Sequence, residues 1–171
     1  MALLYKYIMG DIFGLNGKVL FHDQTIIVKE LFQIAGSIIY HSQLIEHNLR
    51  VIIYLDTLLK QKGKKLAKDE LSAEDLFHAI QKESMGTLID TLQEFDVFGK
   101  ADLKYLRSVT PKRNSIAHSY FKDASLEERF NNPSEMQKML SELKQIERDF
   151  IHLHKENVRI ISDYENEGAR K

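Results

Sequence analysis

The most regular pattern in this 171-residue sequence runs from Ser134 to Tyr164 and reads SEMQKMLSELKQIERDFIHLHKENVRIISDY. Apolar residues recur there at alternating steps of three and four, the periodicity of one buried helix face. Ser134, followed by Glu135 and Gln137, predicts the start of this helix just after Pro133. Packing along a bundle is favoured over a dimer interface. The predicted face is Met136, Met139, Leu143, Ile146, Phe150, Leu153, Asn157, Ile160 and Tyr164, interrupted only by the polar Asn157.

A second long helix is predicted from about Asp23 to Lys60, where apolar residues again step mostly by three or four. Further apolar residues lie off that stripe, so the helix should be central and contacted on several sides. Gly36 and Ser37 predict a kink or a division. The stripe consists of Ile27, Leu31, Ile34, Ile38, Ile45, Leu49, Ile52, Leu55 and Leu59.

Shorter segments separate these two helices. Ser72 predicts a helix start, and Gly86 predicts the end or a bend of that helix. Thr110 as a cap and Pro111 at the first helical position predict another start. The polar stretch 122–132 reads as a linker.

The sequence as a whole predicts an all-α, up-and-down bundle of four to five helices in one domain, residues 1–171. We expect an irregular N-terminal segment over residues 1–22 and a fraying tail over residues 165–171. No cysteine is present, which leaves no thiol nucleophile or disulfide. No apolar run approaches the length of a membrane span and no signal peptide is evident, so we expect a cytoplasmic protein.

Positive charge is concentrated in one part of the chain. Between Lys100 and Lys122 six basic residues accompany one acid, Asp102, giving a local charge of about +5. A second basic run, from Lys60 to Lys68, reads as a loop. Such a distribution suits a site for a polyanion, although a solvated helix face gives the same pattern.

Within the basic segment, residues 110–121 read TPKRNSIAHSYF. On a helix, Asn114 and His118 share a face because they are four residues apart. Arg113 lies about 140° away from His118, so it meets that histidine only through its long side chain or across an interface. An arginine, a polar residue after it and a histidine five positions on resemble the R-x(4–6)-H signature of the HEPN superfamily.

That resemblance implies a small helical bundle and a metal-independent endoribonuclease of a toxin–antitoxin or phage-defence system. Histidine suits proton transfer near neutral pH, and a guanidinium matches phosphate oxygens. We therefore expect His118 to act as acid and base, Arg113 to stabilise the phosphate and Asn114 to orient the site. One histidine does not easily serve both proton transfers at once. A homodimer, as in active members of the superfamily, would supply two.

Further residues are candidates for contacts around this motif. Lys104, Arg107 and Lys112 would guide the RNA backbone, and Tyr120 would contact ribose or phosphate or simply be a half-buried aromatic residue. The remaining candidate is an acid within the first long helix. Glu46 would pair with Arg50, face the cleft, or accept Arg113.

Other interpretations remain open. Arg148 with His154 also fits the loose motif, but acidic residues surround it and Arg113 with His118 is favoured. The competing function is a non-catalytic helical interaction module that binds a protein partner or a nucleotide. The resemblance also implies a possible nucleotidyltransferase-type antitoxin partner. We expect no cofactor and no metal site, since His152 and His154 lie about 200° apart on a helix and cannot easily bind one ion together.

Overall fold

The chain folds into helices throughout the part that the structure describes. The computed structural model covers residues 22–65, 70–95, 97–122 and 126–170, and these ranges contain six α-helices and no β-strand. Short 3₁₀ turns, Ile80–Lys82 and Leu92–Glu94, follow the second and third helices. The predicted all-α bundle is confirmed. Its helices are α1 (His22–Gln61), α2 (Ala73–Ala79), α3 (Met85–Thr91), α4 (Lys100–His118), α5 (Leu126–Phe130) and α6 (Pro133–Arg170).

The two long helices, α1 and α6, pack side by side and run in the same direction. Lys144 Nζ lies 2.6 Å from a carboxylate oxygen of Glu30 near the beginning of both helices. Towards their ends, the Tyr164 hydroxyl donates to Asp56 at 2.9 Å. Residues near the start of α1 thus contact residues nearer the start of α6, and residues near the end of α1 contact residues near the end of α6. This order of contacts requires the two helices to be parallel. The preference for packing within the chain is confirmed for α6.

The intervening helices return the chain between these two. Just after α2, the carbonyls of Ile80 and Glu83 accept hydrogen bonds from the Arg50 side chain of α1. α4 runs antiparallel to α1, because Arg113 meets Glu46 while Phe121, just beyond α4, stacks on Phe32 at 4.6 Å. The three longest helices, α1, α4 and α6, therefore alternate in direction along the chain, as in an up-and-down bundle.

The core lies along the predicted faces of α1 and α6. Leu31, Ile38, Leu49 and Ile52 of α1 are fully buried, as is Phe150 of α6. Their spacing is the spacing of the sequence pattern, so the two stripes meet each other. The shorter helices close the remaining sides with Met85, Leu88, Ile89, Leu92, Leu106, Val109 and Phe130.

A polar layer interrupts this core midway along the α1–α6 contact. The Asn48 amide nitrogen lies 3.3 Å from Nδ1 of His154, and the rings of His41 and His154 are 5.5 Å apart. Asn157, the polar position in the predicted face, is 1% exposed and its amide nitrogen has no partner among the described residues. Burial lowers the pKa of His154, and the adjacent His41 lowers that pKa further. The surroundings of His154 thus disfavour a positive charge on its ring.

The prediction that a helix begins at Thr110 and Pro111 is wrong. α4 begins eleven residues before Pro111, where the backbone N–H of Gly99 donates to the Asp102 carboxylate at 3.1 Å. Thr110 is inside the helix, and its hydroxyl donates to the Leu106 carbonyl at 3.1 Å. Pro111 leaves the Arg107 carbonyl without a helical donor, but both residues are exposed and water can bond there.

Several other boundaries differ from the predictions. α1 is continuous through Gly36, so the predicted division does not occur. Residues 126–130 of the predicted linker form α5, because Leu126 and Phe130 are buried against the core. The break expected at Gly86 falls instead before Ser84, whose side chain caps α3.

The ends of the last helix also differ. The Asn132 side chain, rather than Ser134, accepts the first backbone N–H groups, at 3.0 Å from Ser134 and 3.4 Å from Glu135. Pro133 takes the first helical position. α6 continues to Arg170, through residues for which the sequence predicts a fraying tail. The irregular segment predicted for residues 1–22 lies outside the described residues except for His22, which begins α1.

None of the helices in the described ranges combines enough length and apolarity to cross a bilayer.

We predict that Phe150→Ala lowers the free energy of unfolding by about 3–5 kcal/mol, because it opens a cavity in the fully buried α1–α6 contact. Denaturant unfolding followed by circular dichroism measures this change. Val158→Ala on the same helix is the control, since Val158 is 47% exposed and its loss should cost less than about 0.5 kcal/mol. Equal losses in the two variants would contradict the assigned packing.

We predict that the His41–His154 layer makes the fold acid-sensitive. The folded-state pKa of His154 is depressed, so the unfolded chain takes up the proton first. Stability should therefore fall as the pH drops below the ordinary histidine value of about 6.5. Melting temperatures between pH 7.5 and 5 should fall less steeply in His154→Gln than in the wild type. The exposed His152→Gln should follow the wild type; identical slopes in all three chains would refute the prediction.

Candidate functional site

The predicted motif occupies the last two turns of α4. Asn114 and His118 are both exposed there, while Ile116 is 6% exposed and anchors the segment to the core. Four residues separate Asn114 from His118, so they lie on one side of the helix. The structure thus presents a polar amide and an imidazole together on the outer surface of the bundle.

Arg113 points the other way, towards α1. Its Nη2 lies 3.3 Å from Oε1 of Glu46, and its Nη1 donates to Oδ1 of Asn114 at 3.1 Å. The arginine side chain is 25% exposed and the glutamate side chain 16% exposed. Nε of Arg113 is buried and has no hydrogen-bond partner among the described residues. The arginine is therefore held mainly by its own chain and shows only part of its guanidinium to solvent.

The interpretation that pairs Glu46 with Arg50 is wrong. Arg50 instead donates from Nε to the Ile80 carbonyl at 3.0 Å and from Nη2 to the Glu83 carbonyl at 2.8 Å. These carbonyls end the α2 segment and need donors. Glu46 is thereby left to accept Arg113, which is the third of the readings that the sequence allows.

Lys112 is engaged with α6. Its Nζ donates to the Asp149 carboxylate at 3.0 Å, and Gln145 donates to the other oxygen at 3.0 Å. Burial by itself would raise the pKa of Asp149, but the hydrogen bonds from Lys112 and Gln145 and the Lys112 charge outweigh it and leave that pKa below its usual value. Burial next to Asp149 also raises the pKa of Tyr105. Lys112 thus ties α4 to α6.

The fold neutralises much of the basic segment. Arg107 donates to the Asp90 carboxylate of α3 at 2.5 Å. With Arg113 on Glu46 and Lys112 on Asp149, three of the segment's cations are paired with carboxylates from other helices. Lys104 is exposed and makes no hydrogen bond or ion pair within the described ranges. The positive patch read from the sequence is therefore smaller on the folded surface.

Tyr120 lies just beyond α4 and is half-buried. Its ring meets Phe121 edge to face at 5.1 Å. Burial raises the pKa of its phenol, Glu142 raises it further and the nearby Arg129 partly offsets both. The hydroxyl is buried and makes no hydrogen bond with any of the described residues, Arg129 included. This placement supports a packing role for the ring and leaves the hydroxyl short of the surface where His118 lies.

His118 is the last residue of α4. Its imidazole is exposed and makes no hydrogen bond, ion pair or ring contact with the part of the chain that the structure describes. The following turn is closed by the N–H groups of Ser119 and Tyr120, which both donate to the Ser115 carbonyl. The histidine is therefore held on an ordered helix end and is open to an approaching molecule.

Across the described residues, no three histidine, aspartate or glutamate side chains lie close enough to hold a metal ion. Arg148 of the competing motif bonds to Gln145 on its own helix, and His154 of that motif lies in the polar layer. The structure thus brings Arg113, Asn114 and Glu46 together, with His118 one turn further along α4.

Sequence reasoning missed the carboxylates that pair with α4. Asp90 and Asp149 lie 17 residues from Arg107 and 37 from Lys112, so no local spacing connects either pair. These two pairs can be recognised only from the tertiary structure, once α3 and α6 are placed against α4.

Comparisons with protein-family models, with curated proteins and with solved structures find no match to this chain.

We predict that Lys112 stabilises the fold. Lys112→Ala should raise the pKa of Asp149, because only the hydrogen bonds from Gln145 and Tyr105 then oppose burial. It should also lower the free energy of unfolding at neutral pH by about 0.5–1 kcal/mol, a small value since Lys112 is 40% exposed. The stability that comes from the lowered pKa of Asp149 is fully present above the ordinary aspartate pKa of 3.8 and is lost as the pH falls below it. Carboxyl NMR titration and denaturant unfolding measure both effects. Lys104→Ala is the control and should change neither; no difference between the variants would count against the pairing.

Proposed function

We propose that this chain is a metal-independent endoribonuclease whose active site is completed by a second copy, acting on RNA in the cytoplasm. The observation that carries the proposal is the exposed surface of α4. It presents Asn114 and His118 side by side, with Arg113 directly before them. These are the residue types that phosphodiester cleavage needs, in the order of the HEPN motif that the sequence resembles.

The chemistry uses one base, one acid and one cation. His118 takes the proton from a ribose 2′-hydroxyl, whose oxygen then attacks the adjacent phosphorus. Arg113 stabilises the negative charge that builds on the phosphate oxygens. A protonated imidazole gives its proton to the departing 5′-oxygen. The products are a 2′,3′-cyclic phosphate and a 5′-hydroxyl, so no water is consumed in this step.

Cleavage needs two histidines, one to take a proton and one to give one, and we therefore propose that a second copy of the chain supplies the second. α4 carries no other histidine than His118. A twofold axis beside α4 would bring the second copy's His118 and Arg113 to the same cleft. Small exposed side chains at Ser108 and Ser115, seven residues apart and so on one side of α4, would permit a close approach of the two helices. The resemblance adds a toxin or defence role, and a nucleotidyltransferase-type antitoxin as a possible partner.

The second candidate is a non-catalytic interaction module. It is favoured by the ion pairs that occupy Arg107, Lys112 and Arg113, since a cation already paired inside the chain offers less to RNA. In that case α4 would be a structural helix whose exposed face binds a protein.

We predict that the chain cleaves a mixed cellular RNA pool in EDTA and leaves cyclic phosphate ends. His118→Ala should lower the cleavage rate by about 10²–10⁴-fold, the usual worth of acid–base catalysis. Arg113→Lys keeps the charge beside Glu46 but loses the fork, so it should also impair cleavage while preserving the fold. Rates are measured on gels, with end groups identified by mass spectrometry.

Matched controls come from α6, beside the competing motif. Arg148→Lys and His152→Ala change the same residue types on an exposed surface of α6 and should leave cleavage intact. Circular dichroism and sizing verify folding and assembly of every variant. Cleavage that survives His118→Ala, or none from a folded dimer across several RNA classes, would contradict the nuclease and favour the interaction module.

A further inference from the structure

The guanidinium of Arg113 is already in contact with an oxyanion of its own chain. Oε1 of Glu46 lies 3.3 Å from Nη2, and the Glu46 side chain is only 16% exposed. A carboxylate and a phosphate both bind a guanidinium through two oxygens along one edge. Glu46 therefore contacts one of the guanidinium nitrogens, Nη2, that a phosphate would use.

Glu46 cannot easily move away from this position. Its neighbour Ile45 and, one turn further on, Leu49 are both fully buried in the core, at 0% exposure. They fix this part of α1 in the bundle. Arg113 has more freedom, because its long side chain reaches the contact from α4 and its Nε has no partner among the described residues. Release of the pair would thus come from rotation of the arginine.

Electrostatics oppose a phosphate while the pair is closed. In a partly buried setting, where charges are weakly screened, a carboxylate held beside the arginine repels an approaching phosphate. It also uses part of the positive charge that would attract one. An RNA phosphate must then displace Glu46 from Arg113 before two nitrogens of the guanidinium can bind that phosphate.

We propose that Glu46 is an internal competitor that locks Arg113 and weakens RNA binding by the resting chain. This inference rests on the proposed function, because it takes RNA phosphate as the ligand of Arg113. It goes beyond that function by assigning Glu46 an autoinhibitory contact. Glu46→Gln removes the charge but keeps an oxygen that accepts a hydrogen bond, so the arginine retains a neutral partner and the variant should fold.

The test measures binding of a short single-stranded 2′-O-methyl RNA, which lacks the attacking hydroxyl and is not cleaved, by fluorescence anisotropy at fixed low salt. Glu46→Gln should bind about five- to tenfold more tightly than the wild type, as loss of a close like charge predicts. Glu94→Gln is the control for net charge: Glu94 is exposed, makes no ion pair in the described ranges, and should alter affinity less than about twofold. The gain should vanish in Glu46→Gln/Arg113→Ala when compared with Arg113→Ala.

A readout without RNA separates this inference from the nuclease proposal. Phenylglyoxal modification of Arg113, followed by mass spectrometry, should be several-fold faster in Glu46→Gln than in the wild type. Equal modification rates, weaker RNA binding by Glu46→Gln, or a gain that persists without Arg113 would each overturn the lock. Faster modification together with no RNA cleavage by any folded variant would support the lock as a contact and overturn the nuclease.

Discussion

The parallel contact between α1 and α6 is the constraint on which the rest of the structure depends. Two apolar faces of similar length meet along it, and burial of those faces is the largest favourable term available to a helical bundle. Two helices that are separated in sequence but parallel in space require the chain to travel back between them. α4 makes that return, so its direction and depth follow from the long pair.

The return path determines what the motif can do. α4 is pinned to three other helices by Arg107 on Asp90, Lys112 on Asp149 and Arg113 on Glu46. Leu106, Val109 and Ile116 are buried on one side of α4, and with 100° between successive residues this leaves Asn114 and His118 on the opposite, solvent-facing side. One short motif is thereby divided between a partly buried cation and an exposed imidazole. Catalysis would need the two to meet at a phosphate, through rotation of the arginine, through a second copy, or through both.

Periodicity gave a sound account of the long helices, because their faces are continuous and each residue position repeats the same signal. The seam from Met136 to Leu153 is buried as predicted except at Ile146, which is only partly buried. Local cues were less dependable. Pro111 resembles a helix start by itself, yet the preceding residues Leu103, Leu106 and Val109 pack on the core and carry α4 through it. Phe130 likewise converts a polar linker into a helix by burying one ring.

The basic residues along α4 can be read from the sequence, but the charges that surround them in the fold cannot. Charges counted along the chain gave a basic segment, whereas the fold brings carboxylates from α1, α3 and α6 to it. That information is absent from any window of sequence because the partners are distant. Glu46 is the instructive case: the sequence allowed three readings of it, and only the antiparallel placement of α4 against α1 selects the pair with Arg113.

The central claim is that an exposed His118 acts together with a second copy of the chain. The most direct test measures RNA cleavage per chain as a function of chain concentration, with the dimer fraction determined in the same buffer by analytical ultracentrifugation. The account predicts that cleavage per chain rises in proportion to the dimer fraction and disappears on dilution to the monomer. A monomer that cleaves at the same rate per chain as the dimer would contradict it.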